Sequence, residues 1–186
     1  MSPTVGQFRM VCMTASVDAL GEKRLAAIGT AVFAAAPATV AGLLPWVVTR
    51  WKVQHPVPGG LAAQGVGVVL IGAGAAVITN SFVRFALEGM GTPAPFAPPK
   101  NLVVSGFYRF VRNPIYVAIG AAVTGQGLLL GPPKLFGLVA LGAVPVAAFV
   151  RFEEEPALAR KFGAEYEDYR ANVPRWLPRP APWRQG

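Results

Sequence analysis

Two stretches of this chain carry no charge over a length that matches a lipid bilayer. Leu25–Val48 runs 24 residues and Leu61–Val83 runs 23 without an acidic or basic side chain. A hydrocarbon core of about 30 Å needs roughly 20 helical residues to cross. A chain in that environment must satisfy its own backbone, which a helix does within one segment. Each run therefore predicts a transmembrane helix. Between Asn113 and Val150 the only charge is Lys134. The break Gly131-Pro132-Pro133-Lys134 divides that stretch into Pro114–Leu130 and Leu135–Val150, a tight helical hairpin of two short spans. Composition agrees, with 53% hydrophobic and 14% charged residues against about 25% charged in soluble domains. Ala34-Ala35-Ala36 resembles a signal cleavage region, but the apolar run continues well past it, so the first run reads as a span. The expected fold is all-α, an integral membrane bundle of about four transmembrane helices with a C-terminal amphipathic cytoplasmic helix. Its parts are an N-terminal tail (1–24), two N-terminal spans (25–90), a region with the hairpin (91–178) and a C-terminal tail (179–186).

Four spans place both termini on one side. Counting Lys and Arg on that side gives 14 of the 17, leaving only Arg50, Lys52 and Lys134 on the other. The bias predicts that both termini and the 84–112 connection face the cytoplasm. It also explains the net charge of +8 without nucleic acid, because the basic residues flank apolar runs. The single cysteine, Cys12, excludes an intramolecular disulfide, and the single histidine, His55, excludes a histidine-rich metal site. Gly65, Gly67, Gly72 and Gly74 in the second span predict close helix packing and permit a homodimer. No strand precedes them, so a dinucleotide loop is a poor reading. Pro37, Pro45 and Pro145 interrupt apolar helices and predict kinks.

Chemistry concentrates at two places. GFYRFVRNPIY, residues 106–116, opens the third span. Its Asn113-Pro114 pair reads as an N-cap followed by a first-turn proline, and Arg109 and Arg112 suit lipid phosphates. Glu153, Glu154 and Glu155 follow the fourth span, next to Arg151. Carboxylates at a membrane boundary are costly unless solvated or paired. Beyond them Leu158, Phe162, Tyr166 and Tyr169 mark one face of an amphipathic helix, lying on the membrane or folded back on the bundle. Trp176 and Trp183, near arginines, read as interfacial anchors. Periodicity alone leaves anchor and active site equally open.

KNLVVSGFYRFVRNPIY, followed about 40 residues later by EEEPALARKFGAEYEDYRANVPRWLP, resembles the isoprenylcysteine carboxyl methyltransferase and phospholipid methyltransferase group. The resemblance covers residues from about 92 to 178 and leaves the first two spans unmatched. It implies an integral membrane methyltransferase using S-adenosyl-L-methionine on a lipophilic acceptor. Isoprenylcysteine carboxylates, phospholipid amines and thiols all remain open as that acceptor. By motif position, Lys100, Asn101, Leu102 and Val103 would meet the cofactor mainly through backbone. Tyr108, Asn113, Pro114, Ile115 and Tyr116 would line its pocket, and Glu154 would hold its ammonium. Arg151 and Arg112 are the catalytic candidates, with Arg151 facing the acceptor. Carboxyl-methylating members carry His where this chain has Asn113, and an amide cannot act as a base near neutral pH. That position is therefore expected to orient the cofactor. Membrane lipids are the expected partners. Rival readings are a sterol-reductase-like membrane reductase using NADPH and a non-catalytic lipid-binding protein.

Overall fold

The computed structural model describes residue 35 and residues 37–54, 59–87 and 101–184. Most of the first predicted span, the N-terminal tail, His55 and Lys100 lie outside the described residues. Those described form helices and no strand.

Helix α1, Thr39–Thr49, is short and apolar. It opens with a π turn, Thr39–Leu43, in which the Leu44 N–H donates to the Thr39 carbonyl five residues back. Pro45 is the reason. It has no N–H to offer the Ala41 carbonyl and its ring crowds the preceding turn. The Ala41 carbonyl instead accepts from Gln126 Nε2 of a neighbouring helix at 2.7 Å. In an apolar layer a stranded carbonyl costs several kcal/mol, which gives this mid-helix glutamine its purpose.

Helix α2, Gly60–Leu87, has 28 residues and a length of about 40 Å. It packs along helix α3, Pro114–Leu130, on a seam of small residues. A Cβ at Gly67 would lie 2.6 Å from the Gly125 carbonyl oxygen, and one at Gly74 would lie 2.7 Å from that of Ala118. The expected glycine packing is thus present at two of the four positions. Gly65 and Gly72 face open space.

Helix α3 begins and ends where the sequence places it. Gly131 closes it at φ 92° with its N–H on the Gly127 carbonyl, a backbone shape that β-carbons disfavour. Helix α4, Lys134–Phe149, returns antiparallel and contains Pro145. A second π turn, Val150–Glu154, joins it to helix α5, Glu155–Phe162. Here too a proline follows, Pro156. Helix α6, Ala164–Asn172, comes next.

The single C-terminal amphipathic helix expected from the sequence is therefore two helices. Gly163 separates them at φ 54° and ψ −126°, a region open essentially to glycine alone. Their shared apolar face folds back on the bundle end. Tyr166, Tyr169, Val173 and Trp183 form a small core against Leu102, Val104, Leu158 and Phe162. Trp183, expected at the membrane interface, is a core residue of this cap.

Gly60–Arg84 and Lys134–Phe162 are long and apolar enough to cross a membrane; Thr39–Thr49 and Pro114–Leu130 are apolar but shorter. Apolar side chains stand fully outward, with Leu61 85% and Leu141 76% exposed. That suits lipid and not water. The two ends of the bundle differ. At one, the Gln54 N–H donates to the Leu130 carbonyl at 2.8 Å, beside Arg50, Lys52 and Lys134. At the other gather the 101–113 segment, the glutamates and the cap.

Candidate functional site

Asn113 stands at the N-cap position of α3, but its side chain makes no capping bond. Pro114 at the first helical position has already removed one of the amides in need of a partner. The buried Asn113 amide instead donates to the Arg175 carbonyl at 3.2 Å. One turn into α3, the Tyr116 hydroxyl donates to Glu154 Oε2 at 3.1 Å. The π turn of the neighbouring helix delivers Glu154 to that point.

The three consecutive glutamates have three different settings. Glu153 is exposed. Glu154 is partly buried against Tyr116. Glu155 is buried and receives a two-pronged grip from Arg175, with Nε and Nη2 each at 2.7 Å. Arg112 Nη1 adds a second cation at 2.9 Å. The Glu155 carboxylate holds the Arg175 guanidinium above its ordinary pKa, chiefly by hydrogen bonding and further by charge. A planar guanidinium fits both carboxylate oxygens at once, which makes this grip directional.

The chain beyond α6 lies as a strap along the 108–113 segment. The Arg112 N–H donates to the Pro174 carbonyl at 2.9 Å, and the Arg179 N–H to the Phe110 carbonyl at 3.0 Å. Trp183 N–H meets the Arg109 carbonyl at 2.9 Å, and Arg109 Nε returns a bond to the Trp183 carbonyl at 2.6 Å. The Tyr169 hydroxyl donates to the Tyr108 carbonyl at 2.8 Å. Burial is the main cause raising the phenol pKa values of Tyr108, Tyr166 and Tyr169, so the cap holds neutral phenols.

Below this cap, α3 and α4 part to leave an apolar cavity of about 460 Å³. Val40, Val123, Leu138 and Val146 are among its walls, and Tyr116 and Trp176 also line it. The two rings meet edge to face, with centroids 6.5 Å apart. The cavity therefore connects an apolar interior to a mouth carrying two aromatics and, through Tyr116, a carboxylate.

Of the residues expected from the sequence, Tyr116 and Glu154 are brought into direct contact. Ile115 lines the cavity, and Pro114 is buried. Asn113 faces the strap. Tyr108 and Val103 are buried, Leu102 packs on the cap core, and Asn101 is exposed. Arg112 is committed to Glu155, with a further 3.4 Å contact to the Tyr166 hydroxyl. Arg151 is exposed. Glu155, Arg175 and Trp176 were missed. Arg175 and Trp176 sit directly after the Val173-Pro174 stop, and a stop followed by Arg-Trp was the available signal.

The phospholipid methyltransferase family profile matches residues 63–165, more than half of the chain. The chain belongs to the phospholipid methyltransferase family. The match begins inside α2, so the second predicted span, left out of the sequence resemblance, is part of the family unit. It ends before the strap. The chain is also 41% identical over 69 residues to phosphatidylethanolamine N-methyltransferase of Phaeosphaeria nodorum (strain SN15). That segment is 37% of this chain and 7% of the relative, so the chain matches only a small part of that protein's length. No solved structure matches the chain. Family membership and the apolar helices support a membrane protein, and neither the reductase nor the non-catalytic lipid-binding reading is favoured.

Proposed function

We propose that this protein transfers a methyl group from S-adenosylmethionine to the amine of a membrane phospholipid, at the mouth marked by Tyr116 and Glu154. The observation that carries the proposal is that single contact. Within the family-matched segment, it joins the Asn-Pro-Ile-Tyr stretch to the glutamate run at the entrance of an apolar cavity. The phosphatidylethanolamine acceptor named for the 41% identical relative supports an amine as the nucleophile.

The side chains present fit the cofactor. Glu155 is saturated by two arginines, whereas Glu154 has one oxygen bonded to Tyr116 and lone pairs left for an ammonium. Glu154 would hold the cofactor's ammonium there. Bound S-adenosylmethionine would supply an electrophilic methyl on its sulfonium. Arg151, three residues before Glu154 and exposed, would meet the acceptor's phosphate. The lipid amine enters in its neutral form, its proton left to water at the headgroup layer. Its lone pair would accept that methyl, the electrons of the C–S bond staying with sulfur. The protein contributes alignment and exclusion of water, the terms that matter most in an in-line displacement. The cavity holds apolar chain while the mouth holds the reacting ends. By the charge bias, that mouth faces the cytoplasm, the source of the soluble cofactor.

The test is incubation of the purified protein with methyl-labelled cofactor in phosphatidylethanolamine vesicles, followed by mass identification of the product. The label is expected on the headgroup nitrogen. Label on oxygen or sulfur of another lipid, or none in any lipid, would count against the proposal.

A further inference from the structure

The cavity mouth contains an aromatic pair whose purpose the methyl transfer itself does not explain. Trp176 lies beyond the family match, which ends at residue 165. Sequence reading gave it the role of a membrane anchor. The structure instead turns it inward as a wall of the apolar cavity, edge to face with Tyr116. Its position is set through the residue before it. Arg175, its neighbour, is gripped through its guanidinium by Glu155 and through its carbonyl by Asn113. A tryptophan needed only to fill space would not require so determined a backbone.

The setting matches one ligand chemistry. The Tyr116 hydroxyl donates its hydrogen bond to a carboxylate, which makes the phenol ring richer in electrons. An indole beside it offers the strongest aromatic face for a cation. The cavity behind is apolar. A primary ammonium carries three N–H donors and is held well by oxygen acceptors. Each methyl replaces one donor with an apolar surface that still bears positive charge. A fully methylated ammonium can make no N–H bond, and aromatic faces become its main source of recognition.

We propose that Trp176, with Tyr116, is the headgroup-selecting element of the acceptor site, recognising a lipid whose ammonium is already methylated. Trp176 would thereby let one site keep working as donors are lost from the nitrogen. The inference rests on the amine-methylating reading above for its meaning in a reaction. The binding it predicts can be measured without one.

The experiment is titration calorimetry of the full chain in maltoside micelles, with two lipids of equal acyl length as probes. One is diheptanoyl phosphocholine and the other diheptanoyl phosphoglycerol. Trp176→Ala is expected to weaken phosphocholine binding by roughly tenfold, with little change for phosphoglycerol. Trp176→Leu, which keeps apolar bulk without a π face, should show the same selective loss, and Trp176→Phe should keep most of the affinity. Unchanged binding of S-adenosylhomocysteine in these variants shows that they fold and that Trp176 is outside the cofactor's contacts. Equal losses for both lipids, no loss, no phosphocholine binding by the unaltered protein, or loss of S-adenosylhomocysteine binding would each overturn the inference. Selective binding without any methyl transfer would instead sink the enzymatic proposal and leave this one standing.

Discussion

Helix α3 meets two neighbours on different faces and treats them in opposite ways. Toward α2 it presents Ala118, Ala122 and Gly125, and the backbones approach until a single added methyl has no room. Toward α4 it presents Ile115, Ile119, Gly120 and Val123, and the helices part around a cavity of about 460 Å³. Both faces are apolar and both contain glycine, so hydrophobicity does not distinguish them. Contact geometry does. The closed face fixes where α3 stands, and the open face leaves space that a lipid chain can enter. The cap and strap then place polar groups at one end of that space.

The largest expected effect comes from releasing the strap that closes the open side. Glu155→Ala leaves Arg112 and Arg175 without their shared carboxylate, a loss of about 3–5 kcal/mol for a broken buried pair. Denaturant unfolding in detergent measures it, and a loss near zero would show that the strap is not held by these charges.

Next is the closed face. Gly125→Ala puts a Cβ 2.6 Å from the Gly67 carbonyl oxygen and 3.0 Å from the Ile71 side chain. Overpacking of this kind costs about 1–3 kcal/mol. The matched change on the open face, Gly120→Ala, meets nothing within 4 Å. It is expected to be neutral or stabilising by up to about 1 kcal/mol, the helical gain of alanine over glycine. Equal responses from the two glycines would erase the distinction between the faces.

A pH effect sharpens the contrast between apolar bundle and polar cap. Burial raises the pKa values of Tyr108, Tyr166 and Tyr169 above the ordinary 10.0. The folded cap therefore keeps protons that the unfolded chain has begun to release. This stabilisation is complete below about pH 10 and is lost as pH rises toward the raised folded values. Melting temperature should hold steady to about pH 10 and fall beyond it, with cap tyrosine absorbance changing in the same transition.

Much of the bundle was legible because apolar runs and breakers are local signals. Pro114–Leu130 emerged with the predicted bounds, since Asn-Pro starts a helix and Gly-Pro-Pro stops one. The Tyr116–Glu154 pairing was implied only by resemblance, and its contact needed the fold. Which of three adjacent glutamates meets Tyr116 was not readable by helical phase. The π turn at Val150–Glu154 spends an extra residue, so a phase counted at 3.6 residues per turn slips there. Asn113 takes the expected N-cap position, but its side chain bonds the Arg175 carbonyl, 62 residues away, and not the helix. Trp176 and Trp183 share an Arg-rich, interfacial-looking context, yet one lines the cavity and the other is a cap core residue. Only tertiary packing separates them.

The most direct measurement is calorimetric titration of S-adenosylhomocysteine into the detergent-purified protein and its Glu154→Ala variant, with melting curves for both. The account predicts binding by the unaltered protein and its loss in the variant, at a melting temperature within a few degrees. Equal affinity in the two proteins would contradict it and remove Glu154, and the mouth it marks, from the cofactor site.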